Sequence, residues 1–192
     1  MNQTEWFKEV YDLKEVPQDP IWHPEGDAYT HTMNVIDHAA KLRYNTDIPI
    51  RYMMAALTHD LGKATATKID EISGKIIARG HDEQGTKIAS NFVKRLTDEK
   101  GMETYVTNMV ALHMRTHNNF TDISKVRTTN LMFDKSINPY DLILLYGVST
   151  TMKCSSTCFF NTMFMVKNIY PPSPHGSKVK NSRPSLQNNL TN

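Results

Sequence analysis

A chain of 192 residues can bury one substantial core and is short for two. With 39% apolar and 22% charged side chains, and no apolar run near the roughly 20 residues that a bilayer crossing needs, it reads as a globular protein with no membrane partner. Net charge is only +2, but its distribution is uneven: residues 1–141 hold all 20 acidic and 17 basic side chains, whereas residues 142–192 hold five basic ones and no acid, which marks a boundary.

Residues 1–15 are expected to form an N-terminal helix with Trp6, Phe7 and Val10 on one face. Glu5, Glu9, Asp12 and Glu15 there break the basic-then-apolar pattern of a secretion signal, so the cytoplasm is the expected compartment. Residues 16–27 hold three prolines and a glycine and predict a loop, with Trp22 as a core anchor. Asp27 is a suitable N-cap for a helix running to about Leu42, with Met33, Ile36 and Ala40 as its apolar stripe. Pro49 suits the first turn of the next helix, in which Met53, Met54, Ala56, Leu57 and Leu61 are apolar nearly all round; this helix is expected to be central, with Gly62 ending it at positive φ. Residues 63–80 form a linker with turn chemistry at Ser73–Gly74, flanked by runs that could pair as a hairpin. Helices are then expected at about 82–96, 102–114, 123–133 and 139–148. Five or six helices make an all-α bundle. Beyond about residue 164 the proline-, serine- and asparagine-rich stretch predicts disorder over 165–192. Cys154 and Cys158 exclude a disulfide scaffold, are too few for a closed zinc site, and read as free thiols.

The polar residues that could carry chemistry gather at the expected helix ends. His31 lies in the first turn after Asp27, His59 and Asp60 at the end of an apolar helix, His81 just before another, and His113 and His117 four apart on one face. Taken singly, each reads first as a surface or satisfied core residue. Together they offer imidazole nitrogen and carboxylate oxygen, a mixed set that suits Mn, Fe, Co, Ni, Zn or Mg.

In order and spacing, Trp22-His-Pro-Glu-Gly-Asp-Ala-Tyr-Thr-His-Thr32, Thr58-His-Asp-Leu-Gly-Lys63, Gly80-His-Asp-Glu-Gln-Gly85 and Leu112-His-Met-Arg-Thr-His117 resemble the HD superfamily of metal-dependent phosphohydrolases. The likeness is greatest to the HD domain on the C-terminal side of bacterial CCA-adding tRNA nucleotidyltransferases, and it runs from about residue 16 to about 145. It implies a five- to six-helix HD bundle over 16–150, with His31, His59 and Asp60 as ligands of a divalent cation (Mn, Co, Ni, Mg or Fe). The family's further ligand, an aspartate on the last core helix, aligns with about Thr150, and Asp141 is expected to lie too far back along that helix to replace it. Two explanations stay open for that loss and for the disappearance of acids: divergence of this domain, or a shift of reading frame near Tyr146. The nucleotidyltransferase head has no counterpart before Val16, so addition of CCA is not expected.

The resemblance implies hydrolysis of small nucleotide phosphoesters: a 2′,3′-cyclic phosphate, a 2′-nucleotide or a phosphomonoester. Asp60 is expected to orient or deprotonate the attacking water, and Lys63 to stand as a cation near the phosphate. His81 and His113 are candidates for a second metal, for phosphate contact or for protonating the leaving group, with His117 a weaker one. His23 and Glu25 are expected to shape the loop, and His38 to lie on the surface. The alternatives are a catalytically degenerate HD module that binds nucleotide or RNA ends, and a remnant of a longer tRNA nucleotidyltransferase-like enzyme. No obligate protein partner is expected.

Overall fold

A computed structural model describes residues 3–120 and 126–150, with side chains over 5–116 and 127–150. The expectations for the two cysteines, for the tail over 165–192 and for the His117 side chain lie outside the described residues. Over the described residues the fold is an all-α bundle with a two-stranded hairpin. Among the described residues, no helix is long and apolar enough to cross a membrane.

Residues 3–11 are helical in two pieces, α1 (Gln3–Trp6) and α2 (Lys8–Tyr11), because Phe7 leaves helical geometry at ψ 25°. Val10 is buried, while Trp6 and Phe7 are partly exposed. The loop that follows is closed at its base. The amide of Ala28 donates to the Val16 carbonyl (3.0 Å), that of Tyr29 to Leu13, and that of Glu15 to Asp27 Oδ2 (3.0 Å). The other oxygen of Asp27 accepts from the Thr30 amide at 2.7 Å, capping α3 (Ala28–Leu42) as its sequence position predicts. One carboxylate therefore both starts the helix and pins the loop. Inside the loop, the Trp22 and His23 amides both donate to the Asp19 carbonyl. This turn carries Ile21 and Trp22 outward and His23 inward. Trp22 is 65% exposed, so it is not the core anchor expected of it.

α4 (Pro49–Thr58) begins at Pro49 and buries a narrow face of Tyr52, Ala55, Ala56 and Thr58. Met53, Met54 and Leu57 are only half-buried, so α4 is not the central helix. That place belongs to α9 (Pro139–Ser149), where every residue from Tyr140 to Val148 is buried. Gly62 does not end α4 through positive φ either. The helix stops at Thr58, and Gly62, with φ −67°, starts α5 (Lys63–Ala66). Gly62 is needed for proximity: a Cβ on it would lie 2.0 Å from the His81 carbonyl oxygen and 2.7 Å from the Gly85 nitrogen. The turn after α4 thus packs backbone to backbone against α6 (His81–Leu96).

Strands β1 (Lys68–Ile69) and β2 (Ile76–Ile77) pair antiparallel across the Ser73–Gly74 turn. Gly80 then takes φ 75°, and His81 becomes the first residue of α6. Acids in the first turn of α6 and bases in its last match the helix dipole. α7 (Met102–Phe120) packs along α6 and against α4 and α9, and α8 (Val126–Lys135) closes the bundle.

A carboxyl group sits inside this core. Asp141, on the first turn of α9, is 1% exposed. Tyr105 donates to its Oδ2 at 2.5 Å, and its Oδ1 has no partner among the described residues. Burial pushes its carboxyl up to about 7, with Asp47 adding in the same direction and the Tyr105 hydrogen bond opposing. An unfolded aspartate ionises near 4, so between about pH 4 and 7 the unfolded chain gives up a proton that the folded chain keeps. Stability is lost over that window as pH rises, by an amount on the order of 4 kcal/mol, and the loss persists above it. Asp141→Asn is therefore expected to melt several degrees above the wild type at pH 8 and alongside it near pH 4, as read by calorimetry. A melting difference that does not depend on pH would refute a neutral buried carboxyl.

Candidate metal centre

The bundle brings five side chains of the expected site to one buried point. His31 comes from the first turn of α3, and His59 and Asp60 from the turn after α4. His81 opens α6 and His113 projects from the middle of α7. All are 6% exposed or less. Asp60 lies at the centre. Its Oδ2 is 3.3 Å from His59 Nε2 and 3.6 Å from His31 Nε2, and its Oδ1 is 3.2 Å from His81 Nε2 and 3.6 Å from His113 Nε2. Donor atoms of His31, His59 and Asp60 fall within 4.8 Å of one another, as do those of Asp60, His81 and His113.

The far side of each ring fixes which nitrogen is free. Nδ1 of His59, His81 and His113 lies 2.9, 2.6 and 2.6 Å from the carbonyls of Ala56, Ala78 and Val110. A carbonyl only accepts, so each Nδ1 carries its proton and each Nε2 faces Asp60. His31 reaches the same state differently: its Nδ1 lies 2.5 Å from Glu25 Oε1. His59 Nε2 is buried without a hydrogen-bond partner among the described residues, since its approach to Asp60 is not aligned for one. A buried orphaned acceptor costs about 1–3 kcal/mol, and a cation would satisfy it. The residues present thus fit a divalent ion.

Electrostatics agree with ligand duty. Burial would raise Asp60, but its polar surroundings, His59 first and then the Lys63 ammonium, outweigh it and hold the carboxyl well below its ordinary range. Burial lowers His31 to about 4 against the pull of Asp60, leaving it neutral near pH 7. Burial also lowers His113, whereas Asp60 overcomes burial and raises His81. The two Nε2 atoms of that pair are 3.2 Å apart. Two lone pairs cannot face each other at this distance, so a proton on His81 Nε2 bonds to its neighbours.

Lys63, also buried, places its ammonium 2.8 Å from Asp60 Oδ2 and 2.6 Å from Gln18 Oε1. Neither Asp141 nor Thr150 joins the cluster. Asp141 is engaged with Tyr105, and the Thr150 hydroxyl donates to the Tyr146 carbonyl at 2.8 Å. His38 bonds its own helix at Asn34. Gln18 escaped the sequence reading, and Glu25 was expected only to shape the loop. Gln18 holds Lys63, and Glu25 holds both His31 and His23. Both reach the site through loop closure, for which no periodic pattern exists.

The chain is similar to known proteins. Over 88 residues the chain is 44% identical to the "Multifunctional CCA protein" of Burkholderia mallei (strain SAVP1), which covers 46% of this chain and 19% of that protein. Proteins of the same name from Burkholderia multivorans and Methylobacillus flagellatus are 56% identical over 57 residues and 42% identical over 83. Those matches cover 30% and 42% of this chain but only 13% and 18% of the relatives. The chain thus spans less than a fifth of the length of these relatives. No solved structure matches it. The model of the HD domain matches residues 28–144, more than half of the chain, which therefore belongs to the HD domain family, a superfamily of metal-dependent phosphohydrolases.

Proposed function

We propose that this domain is a divalent-metal-dependent phosphohydrolase acting on small nucleotide phosphoesters: 2′,3′-cyclic phosphates, 2′-nucleotides or phosphomonoesters. The observation that carries the reading is the common orientation of the buried imidazoles. Each turns an N–H outward to an oxygen and an Nε2 toward Asp60. His31, His59 and Asp60 would hold one cation, which by the resemblance to HD domains is Mn, Co, Ni, Mg or Fe. Such an ion lowers the pKa of a bound water and polarises a phosphoryl oxygen.

The chain's own residues supply the rest. Asp60, held ionised, orients the attacking water as an acceptor. Lys63 spends two of its three N–H donors on Asp60 and Gln18, and the third is available to a phosphoryl oxygen. As the water oxygen bonds to phosphorus it gives up a proton to Asp60, and as the bond to the leaving oxygen breaks His81 Nε2 gives its proton to that oxygen. Cation stoichiometry discriminates at this point: one ion per chain leaves the His81–His113 pair holding the proton, whereas two replace it with a second ion.

A second reading is favoured by two observations. The position expected to carry an aspartate is Thr150, whose hydroxyl is spent on its own helix, and Lys63 already neutralises Asp60. In that reading the domain binds nucleotide or RNA ends without turnover. A remnant of a tRNA nucleotidyltransferase-like enzyme is compatible with the same facts and no better supported. The test is hydrolysis of 2′,3′-cyclic AMP by the purified chain with Mn, Co or Ni. Turnover that EDTA removes is expected. A folded protein that neither retains a cation nor turns over returns the second reading.

A further inference from the structure

Three of the four imidazoles around Asp60 are oriented by a main-chain carbonyl three residues back. His31 is the exception. Its Nδ1 is held by Glu25, six residues earlier and on the closed loop. The Glu25 side chain is 5% exposed. Its Oε1 also takes His23 Nδ1 at 3.0 Å, and the His23 ring stands edge-on to His31 with centroids 4.6 Å apart. Two rings therefore grip the one oxygen from different sides, while Oε2 has no partner among the described residues.

We infer that Glu25 is a positioning residue that fixes His31 as the Nδ1–H tautomer and aims its Nε2 lone pair at the Asp60 site; the inference rests on the metal reading proposed above. The donors of His23, Glu25 and His31 also lie within 4.8 Å of one another, as a separate cation site would require. That site would need the His31 Nδ1 lone pair. A neutral imidazole has only one, and an ionised carboxylate at 2.5 Å can only accept, so it claims the Nδ1 proton and leaves the lone pair on Nε2.

The loop is the agent of this coupling. It is tied to the cap of α3 through Asp27 and to Lys63 through Gln18, so the carboxylate that orients His31 is itself fixed at both ends of the segment. The experiment compares wild type, Glu25→Ala and Glu25→Gln with two readouts. The first is the His31 tautomer in metal-free protein, from two-bond nitrogen–proton correlations, with His31→Gln assigning the signal. The second is affinity for Co(II) by chelator competition. Expected are an Nδ1–H tautomer in wild type and its loss in Glu25→Ala, with about a 10–100-fold weaker Co(II) affinity. Glu25→Gln, whose amide oxygen still accepts from Nδ1, restores most of both. Equal Co(II) affinity and an unchanged tautomer in Glu25→Ala overturn the assignment of Glu25 alone. No Co(II) uptake by wild type overturns the metal reading itself, and the role of Glu25 with it.

Discussion

Asp60→Asn is expected to lower Co(II) or Mn(II) affinity by more than the roughly 10–100-fold seen for outer-shell partners, and to cut phosphoesterase turnover by on the order of a thousandfold, as for lost transition-state electrostatics. The size follows from position. Asp60 is the anion that faces four imidazoles and an ammonium, with each oxygen facing a different pair of rings. An amide has the same shape but carries no charge and presents N–H donors where acceptors are needed. The substitution also strands Lys63, whose side chain is 9% exposed and paired with Asp60 at 2.8 Å. Breaking one side of a buried pair costs about 3–5 kcal/mol, so lost activity alone could reflect unfolding. Asp60→Asn combined with Lys63→Met separates the two effects. The double variant is expected to recover much of the melting temperature while staying inactive and metal-free. Wild-type turnover in either variant would remove Asp60 from the chemistry.

Gly62→Ala is expected to destabilise the fold by about 3 kcal/mol or more, beyond the usual 1–3 kcal/mol of an overpacked side chain. The clash partners here are backbone. The added methyl would sit 2.0 Å from the His81 carbonyl oxygen, 2.7 Å from the Gly85 nitrogen and 2.9 Å from the Gly85 Cα. No side chain can rotate away, so the turn after α4 must part from α6. A fall in melting temperature of on the order of 10 °C should result. The same separation draws His81 off Asp60, where the two now lie 3.2 Å apart, so metal affinity should fall too. Gly85→Ala is the milder comparison: its Cβ would meet the Gly62 nitrogen at 3.2 Å and a Val110 methyl at 3.4 Å, contacts that a small shift relieves. Melting within about 1 °C of wild type for Gly62→Ala would contradict the close approach.

Helix class, most helix boundaries and the Asp27 cap were legible from spacing and side-chain chemistry, because they depend on neighbours three or four residues away. The grouping of His31, His59, Asp60, His81 and His113 was legible through motif order, which stands in for contacts that no local pattern encodes. Centrality was not. α4 and α9 are both apolar, and only packing decided that α9 is enclosed while α4 leaves Met53, Met54 and Leu57 half-buried. Trp22 shows the same limit, since a turn at Asp19 sent it outward against its hydrophobicity. The role of Gly62 needed two backbones in register, and its composition alone suggested a different reason for glycine. The sequence by itself thus determined which elements form and which chemistry is available. The tertiary structure alone decided which helix is buried and which oxygen meets which nitrogen, because burial and hydrogen bonding across a loop depend on residues far apart in the chain.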